Sequence, residues 1–317
     1  MRIGLMVGPE RGRYGTKVAR LQADARWAEE AGLATVWIPQ IPDEFDALTA
    51  ATVIASETSR IEIGTAVVPI QPRHPIALAQ QVLSVQAVSE GRLTIGLGVS
   101  HHWIIDEMLG MPYEHPMATM RAYLDVLDAA LAGPGPVDVE NDRFRIHNPL
   151  DITDVAPTPV LLAALGPRML QLCGERTDGT ILWLADERAI GDYIVPHLTR
   201  AAEATGRPAP RVVAGVPVCL CGDHEIDAAV TRANRLLSEA EVSPNYQKLL
   251  DQGDAQSVGD ILVAGSESTI RKRLAGFSDA GVTDLSVRVV PIGEGRDELI
   301  SSSKRTRALL GSLANSL

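Results

Sequence analysis

The chain has 317 residues, room for two domains or for one α/β barrel of about 250 residues with insertions. Hydrophobic residues make up 45% of it, enough for a large core, which excludes a disordered chain. The formal net charge of -11 comes without a basic stripe and argues against nucleic acid and anionic membrane surfaces as partners.

Residues 3–7 are the first apolar run, ending at Gly8 and Pro9 and too short for a signal peptide. Thr16 is placed to cap the next helix, in which Val18, Leu21, Ala25 and Ala28 recur at helical spacing before Gly32 stops it. Strand two is 35–39, Asp46 caps a helix over 47–58, and strand three is 61–68. Pro75 opens a helix at its tolerated first position, and that helix runs to 88 and ends at Gly91. Strand four, 92–97, sets Leu93, Ile95 and Leu97 on one face. It leads into Gly98, Val99, Ser100, His101, His102 and Trp103. Gly98 lets the backbone approach a ligand, Ser100 donates and accepts hydrogen bonds, two imidazoles follow, and Trp103 offers a flat face. Such a run reads as a strand tip that binds something; the plainer reading is a strand running into a polar loop. The following helix spans 117–131.

Within 133–158 the chain is irregular, and 137–139 with 144–146 suggest a hairpin around Glu140, Asn141 and Asp142. Strand five (159–163) precedes a helix over 166–176, strand six (180–184) a mostly helical stretch to 205, and strand seven (212–220) a helix over 223–241. The segment 242–262 lacks a clear period and reads as a lid-like insertion. Ser266 or Ser268 starts a helix with Ile270, Leu274 and Phe277 on one face, ending at Gly281. Strand eight (284–290) and a helix over 297–313 complete the chain.

Gly32, Gly91 and Gly281 each end a helix just before a strand, which favours repeated parallel βα units. Eight such units favour a closed (β/α)8 TIM barrel over an open doubly wound sheet. Gly8, Gly12 and Gly15 have the wrong spacing for a dinucleotide fingerprint. The expectation is one domain over 1–317, with a hairpin insertion near 133–158 and a lid-like insertion near 242–262. Cys173, Cys219 and Cys221 fit no zinc spacing and read as reduced, mostly buried thiols of a cytoplasmic protein. No apolar run approaches the ~18 residues of a membrane span.

In such a barrel, chemistry gathers where strands end. Strand two ends in Pro39, Gln40, Ile41 and Pro42; strand three in Ala66, Val67, Val68 and Pro69, followed by Arg73 and His74; strand four at Gly98; strand five in Ala163, Ala164, Leu165, Gly166, Pro167 and Arg168. The strand-five end places small residues before a helix whose N–H groups and dipole suit a phosphate, although a tight βα turn with proline at N1 reads equally well. Adjacent His101 and His102 point opposite ways on an extended segment and lack a third ligand, so no metal site is expected. There is no G-x-S-x-G elbow for a serine hydrolase.

These stretches together resemble the luciferase-like superfamily, and within it the coenzyme F420-dependent (deazaflavin) oxidoreductases. The carriers are Ile63-Gly64-Thr65-Ala66-Val67 with Arg73-His74-Pro75, Gly96 to His101 with Gly110, Tyr113, Pro116 and Arg121-Ala122-Tyr123-Leu124, Ala163 to Arg168, and Ala264-Gly265 before Ala280-Gly281-Val282-Thr283-Asp284. The resemblance implies a barrel with the cofactor ring at the C-terminal mouth. A bulge at Ala66 and Val67, with a cis peptide bond between them, would back the ring; Gly98 and Ser100 would line it. The amides of Leu165, Gly166 and Pro167 would hold the phosphate of the cofactor tail, and Gln40, Val99, Ala163, Ala164 and Arg168 complete the cofactor-binding set. Relatives that oxidise alcohols carry Asp-His at the end of strand two, where this chain has Gln40 and Ile41. The resemblance therefore implies reduction of an activated C=C or C=N by coenzyme F420, with a hydride from the ring and a proton from an acid or water. His101 is the first candidate donor, with Tyr14 and His74 behind it. The alternatives are a reduced-FMN monooxygenase and a non-catalytic flavin- or deazaflavin-binding protein. The expected partners are a small-molecule substrate and a second copy, as a homodimer.

Overall fold

The computed structural model describes residues 1–8, 17–237 and 244–315. In chain order, β1 (Arg2–Met6) precedes α1 (Lys17–Glu30), and β2 (Thr35–Ile38) precedes α2 (Ala47–Glu57). Then come β3 (Glu62–Thr65), β4 (Val68–Pro69), α3 (Pro75–Val88), β5 (Leu93–Gly98) and α4 (Pro116–Leu131). A hairpin of β6 (Gly135–Glu140) and β7 (Arg145–Leu150) follows. The second half holds β8 (Val160–Leu162), α5 (Pro167–Arg176), β9 (Gly179–Trp183), α6 (Val195–Ala204), β10 (Arg211–Leu220) and α7 (Ile226–Leu237). It ends with α8 (Pro244–Leu250), α9 (Val258–Ile261), β11 (Val263–Gly265), α10 (Glu267–Asp279), β12 (Asp284–Val289) and α11 (Arg296–Ala314).

The parallel pairings run β1–β2–β3–β5–β8–β9–β10–β12 and return to β1, closing a (β/α)8 barrel. Strand three is not one piece. Gly64 pairs with Thr94 and Val68 with Leu97, so four steps on this strand face three on β5. The extra residue makes a bulge at Ala66 and Val67, and their peptide bond is cis. The segment without a period contains α8 and α9, each too short to show one, and leads into β11. β11 pairs with Val218–Leu220 on β10, beyond the reach of β9, which pairs only as far as Gly215. A π-helical turn at Trp103–Met108, unforeseen in the sequence, precedes α4. Val18 is 46% exposed instead of joining the core face of α1, whereas Leu21, Ala25 and Ala28 are buried. Asp46 caps α2 and Ser266 caps α10, each accepting the N–H of the residue three positions on. Among the described residues no helix is long and apolar enough to cross a membrane.

The barrel is closed at its lower end by charge. The Arg211 guanidinium reaches Glu62 at 2.8 Å and Asp284 at 2.9 Å, Arg2 reaches Glu62 at 2.8 Å, and Thr94 donates to Glu62 at 2.7 Å. These contacts join the starts of β1, β3, β5, β10 and β12 across the lumen. Strand alternation fixes the rest of the inner face. Trp37, fully buried, fills the next layer with Leu161, Ile181 and Val213. Its indole lies where Gly64 has no side chain: a Cβ there would stand 2.2 Å from Trp37 Cζ3. A Gly64→Ala change therefore overpacks the lumen and should destabilise the protein by about 1–3 kcal/mol. Urea unfolding checks this; an unchanged midpoint would mean that the indole is free to move.

Candidate active site

The mouth is built on the bulge. Thr65, fully buried, accepts the Gly96 N–H at 2.8 Å and donates to the Gly96 carbonyl at 2.9 Å, fixing where β3 leaves the sheet. The bulge then lies against β5 because glycines leave room for it. A Cβ on Gly98 would be 2.7 Å from Val67 Cγ2 and 3.4 Å from Ala163 Cβ, and one on Gly96 would be 2.1 Å from the Thr65 carbonyl oxygen. Ala66, Val67, Gly98 and Ala163 thus form one small-residue wall at the top of the lumen. Alternation turns Ala164 the other way, into the helix-facing core, where it is fully buried. Only its backbone is left to meet a ligand at the mouth.

Beyond Gly98 the chain is held by groups that sequence reasoning did not assign. Gln71 donates from Nε2 to the Val99 carbonyl at 2.6 Å, and the Tyr113 hydroxyl donates to the Ser100 carbonyl at 3.2 Å. Ser100 itself has φ 56°, a left-handed conformation that turns the chain off the strand. His101 follows, stacked on Trp103 with ring centroids 4.2 Å apart and planes 17° apart. The ring of His102 meets the same indole edge-on at 5.4 Å. Burial, and secondarily the neighbouring His102, hold the His101 imidazolium below the ordinary histidine pKa.

The segment after β10 reaches this loop. Tyr246 of α8 lies 5.9 Å from the His101 ring. Asp186, buried at the end of β9, anchors the far side of the segment: its carboxylate accepts the N–H groups of Asp254 at 2.7 Å and Ala255 at 2.8 Å as well as that of Ala189 at 2.8 Å. An ion pair between Arg188 and Asp254, at 2.7 Å, adds to the anchor.

After β8, Gly166 is the N-cap of α5 and no side chain caps the helix; Pro167 at N1 has no N–H, which corrects the expectation of an amide donor there. A Cβ on Gly166 would meet nothing within 4 Å. Leu165 is partly buried, and Arg168 is exposed in the first turn. The start of α5 is therefore open to an anion.

The remaining candidates have other work. Gln40 accepts the Ala47 N–H on its Oε1 at 2.9 Å, at the start of α2 beside the Arg73–Asp46 ion pair. His74 is the exposed N-cap of α3, accepting the Ile76 N–H at 3.3 Å, and its ring packs edge-on against Phe144 after the hairpin strand β6. Tyr14 lies outside the described residues. Burial pushes the Cys219 thiol up to about 12 and that of Cys173 to about 11, so both stay protonated.

The model of the luciferase-like monooxygenase family matches residues 1–284. The chain belongs to that family. Among luciferase-like relatives it is 24% identical to a 5,10-methylenetetrahydromethanopterin reductase of Methanolobus tindarius, covering 89% of this chain and 94% of the relative. It is also 24% identical to a putative coenzyme F420-dependent oxidoreductase of Mycobacterium tuberculosis, covering 94% of this chain and 99% of the relative. Its fold matches that of a type II Baeyer–Villiger monooxygenase component of Pseudomonas putida in complex with FMN, with TM-score 0.77 at 16% identity, covering 98% of this chain and 96% of that one. The luciferase-like mouth of this chain fits a flat ring with a phosphorylated tail. The wall of Ala66, Val67 and Gly98 is apolar and free of bulky groups, and the uncapped start of α5 has open space beside it.

Proposed function

We propose that the protein is a coenzyme F420-dependent oxidoreductase that reduces an activated C=C or C=N bond of a small organic molecule. The observation that carries this reading is the end of β2, where Gln40 offers an amide whose oxygen is already engaged by the Ala47 N–H. An amide there takes no proton from a hydroxyl group, which disfavours alcohol oxidation. When bound, the deazaflavin supplies the hydride. The protein does the rest. Ala66 and Val67 cover one ring face and leave the other for substrate. The N–H groups at the start of α5 hold the tail phosphate. His101 supplies the proton to the substrate atom next to the one that receives hydride.

The reduced-FMN monooxygenase is the second reading, favoured by the structural likeness to an FMN-bound oxygenase. Calorimetry with coenzyme F420 and FMN side by side separates the two. The expected result is at least tenfold tighter binding of F420. Tighter FMN binding would favour the monooxygenase, and binding of neither would sink both readings.

A further inference from the structure

We propose that the barrel lumen binds an ordered water molecule, held by the indole N–H of Trp37 and by the hydroxyls of Thr35 and Ser286, and that this water ties β12 to β2. The inference is independent of the cofactor and of the reaction. It starts from three polar atoms. Trp37 Nε1, Thr35 Oγ1 and Ser286 Oγ are closed to solvent, and none has a hydrogen-bond partner among the described residues. The three residues are at most 1% exposed. A buried polar atom without a partner is costly, and native proteins keep few of them. Here three lie side by side.

Strand register brings them together. Asp284 enters the lumen to reach Arg211 at 2.9 Å, so Ser286, two residues on, shares that face. Gly4 pairs with Ser286 on one side and with Thr35 on the other. The two hydroxyls therefore flank Gly4 at one level of the lumen, with only its bare Cα between them. Trp37, two residues beyond Thr35 on β2, shares the same face. Its indole comes back over β1: a Cβ on Gly4 would stand 3.0 Å from Trp37 Nε1. The N–H thus lies above Gly4, between the two hydroxyls. The other neighbour of Ser286 is Gly215, which offers no side-chain atom; a Cβ there would stand 2.5 Å from Trp183 Cε3.

Water matches this set. It accepts from the indole N–H and exchanges hydrogen bonds with two hydroxyls that can each donate or accept, which makes about three bonds, the usual number for a buried water. An apolar guest would leave all three polar atoms unmet. An ion has no counter-charge to find there, because Arg211, Glu62 and Asp284 in the layer below already pair with one another. Trp37 above and the charged plug below enclose the water, so it exchanges only when the barrel opens. It spans from β12 to β2 across β1, which carries no side chain at that level.

A crystal structure of the unmodified protein at high resolution should show a density peak within hydrogen-bond distance of Trp37 Nε1 and of at least one of the two hydroxyls. Thr35→Val and Ser286→Ala supply the second test. A hydroxyl that is merely unpartnered can be removed with the urea midpoint unchanged or raised. A hydroxyl that holds the water cannot: each variant should lower the midpoint by roughly 0.3 M. Because both changes act on one molecule, the double variant should lose less than the sum of the two single shifts, although the two side chains make no hydrogen bond to each other. Absence of the density peak overturns the proposal. So does a midpoint that holds or rises in either single variant, and strict additivity in the double variant removes the tie between β12 and β2. If neither variant folds, the density decides alone.

Discussion

A His101→Ala enzyme should turn over roughly 100-fold more slowly than the parent, the usual scale for losing a positioned general acid, with cofactor affinity near normal. The aromatic packing supports this placement. His101 is stacked on Trp103 at 4.2 Å, and the ring of Tyr246 lies 5.9 Å away, so aromatic neighbours hold its ring in place. The pH profile gives a second handle. Burial lowers the pKa of His101, so at neutral pH the imidazole is unprotonated. If the imidazolium donates the proton, turnover falls as pH rises through a value below the ordinary ~6.5. In His101→Ala that limb should disappear. Stability runs the other way: the unfolded chain binds this proton more readily than the folded one, so His101 costs stability as pH falls below about 6.5. A variant that keeps normal turnover at saturation but binds cofactor weakly would make His101 a cofactor contact instead.

Gly166→Asp should weaken cofactor binding by more than tenfold without harming the fold. Gly166 is an N-cap at φ -87°, a conformation open to any residue, and a Cβ there meets nothing within 4 Å. Aspartate is also a better N-cap than glycine by a few tenths of a kcal/mol, so the melting temperature should hold or rise slightly. The same carboxylate would accept the first-turn N–H groups meant for phosphate and repel its charge. Stability and affinity therefore move in opposite directions, which separates this outcome from misfolding. Unchanged affinity, read by calorimetry with coenzyme F420, would place the phosphate elsewhere on the mouth.

Much of the barrel was legible because its signals are local. Gly32, Gly91 and Gly281 end helices at positive φ, and Asp46, Pro75 and Ser266 mark helix starts by residue type alone. The bulge at Ala66 and Val67 was reached through the family resemblance; the reason it fits, the bare Cα atoms of Gly96 and Gly98, depends on register. The site's supports were not legible. Gln71, Thr65, Tyr246 and Asp186 act on residues distant in sequence, and polar side chains in loops carry no mark of the backbone group they will meet. A run of small residues such as Ala163 and Ala164 hides which of them alternation turns outward, and here it is Ala164.

The plug of Arg2, Glu62, Arg211 and Asp284 under the Trp37 indole makes the barrel a blind-ended cup. Two ligands that share such a cup cannot pass each other or leave by a back door. They depart in reverse order of arrival, the shallower first. A ring seated deep in it would therefore be trapped for as long as anything sat above it.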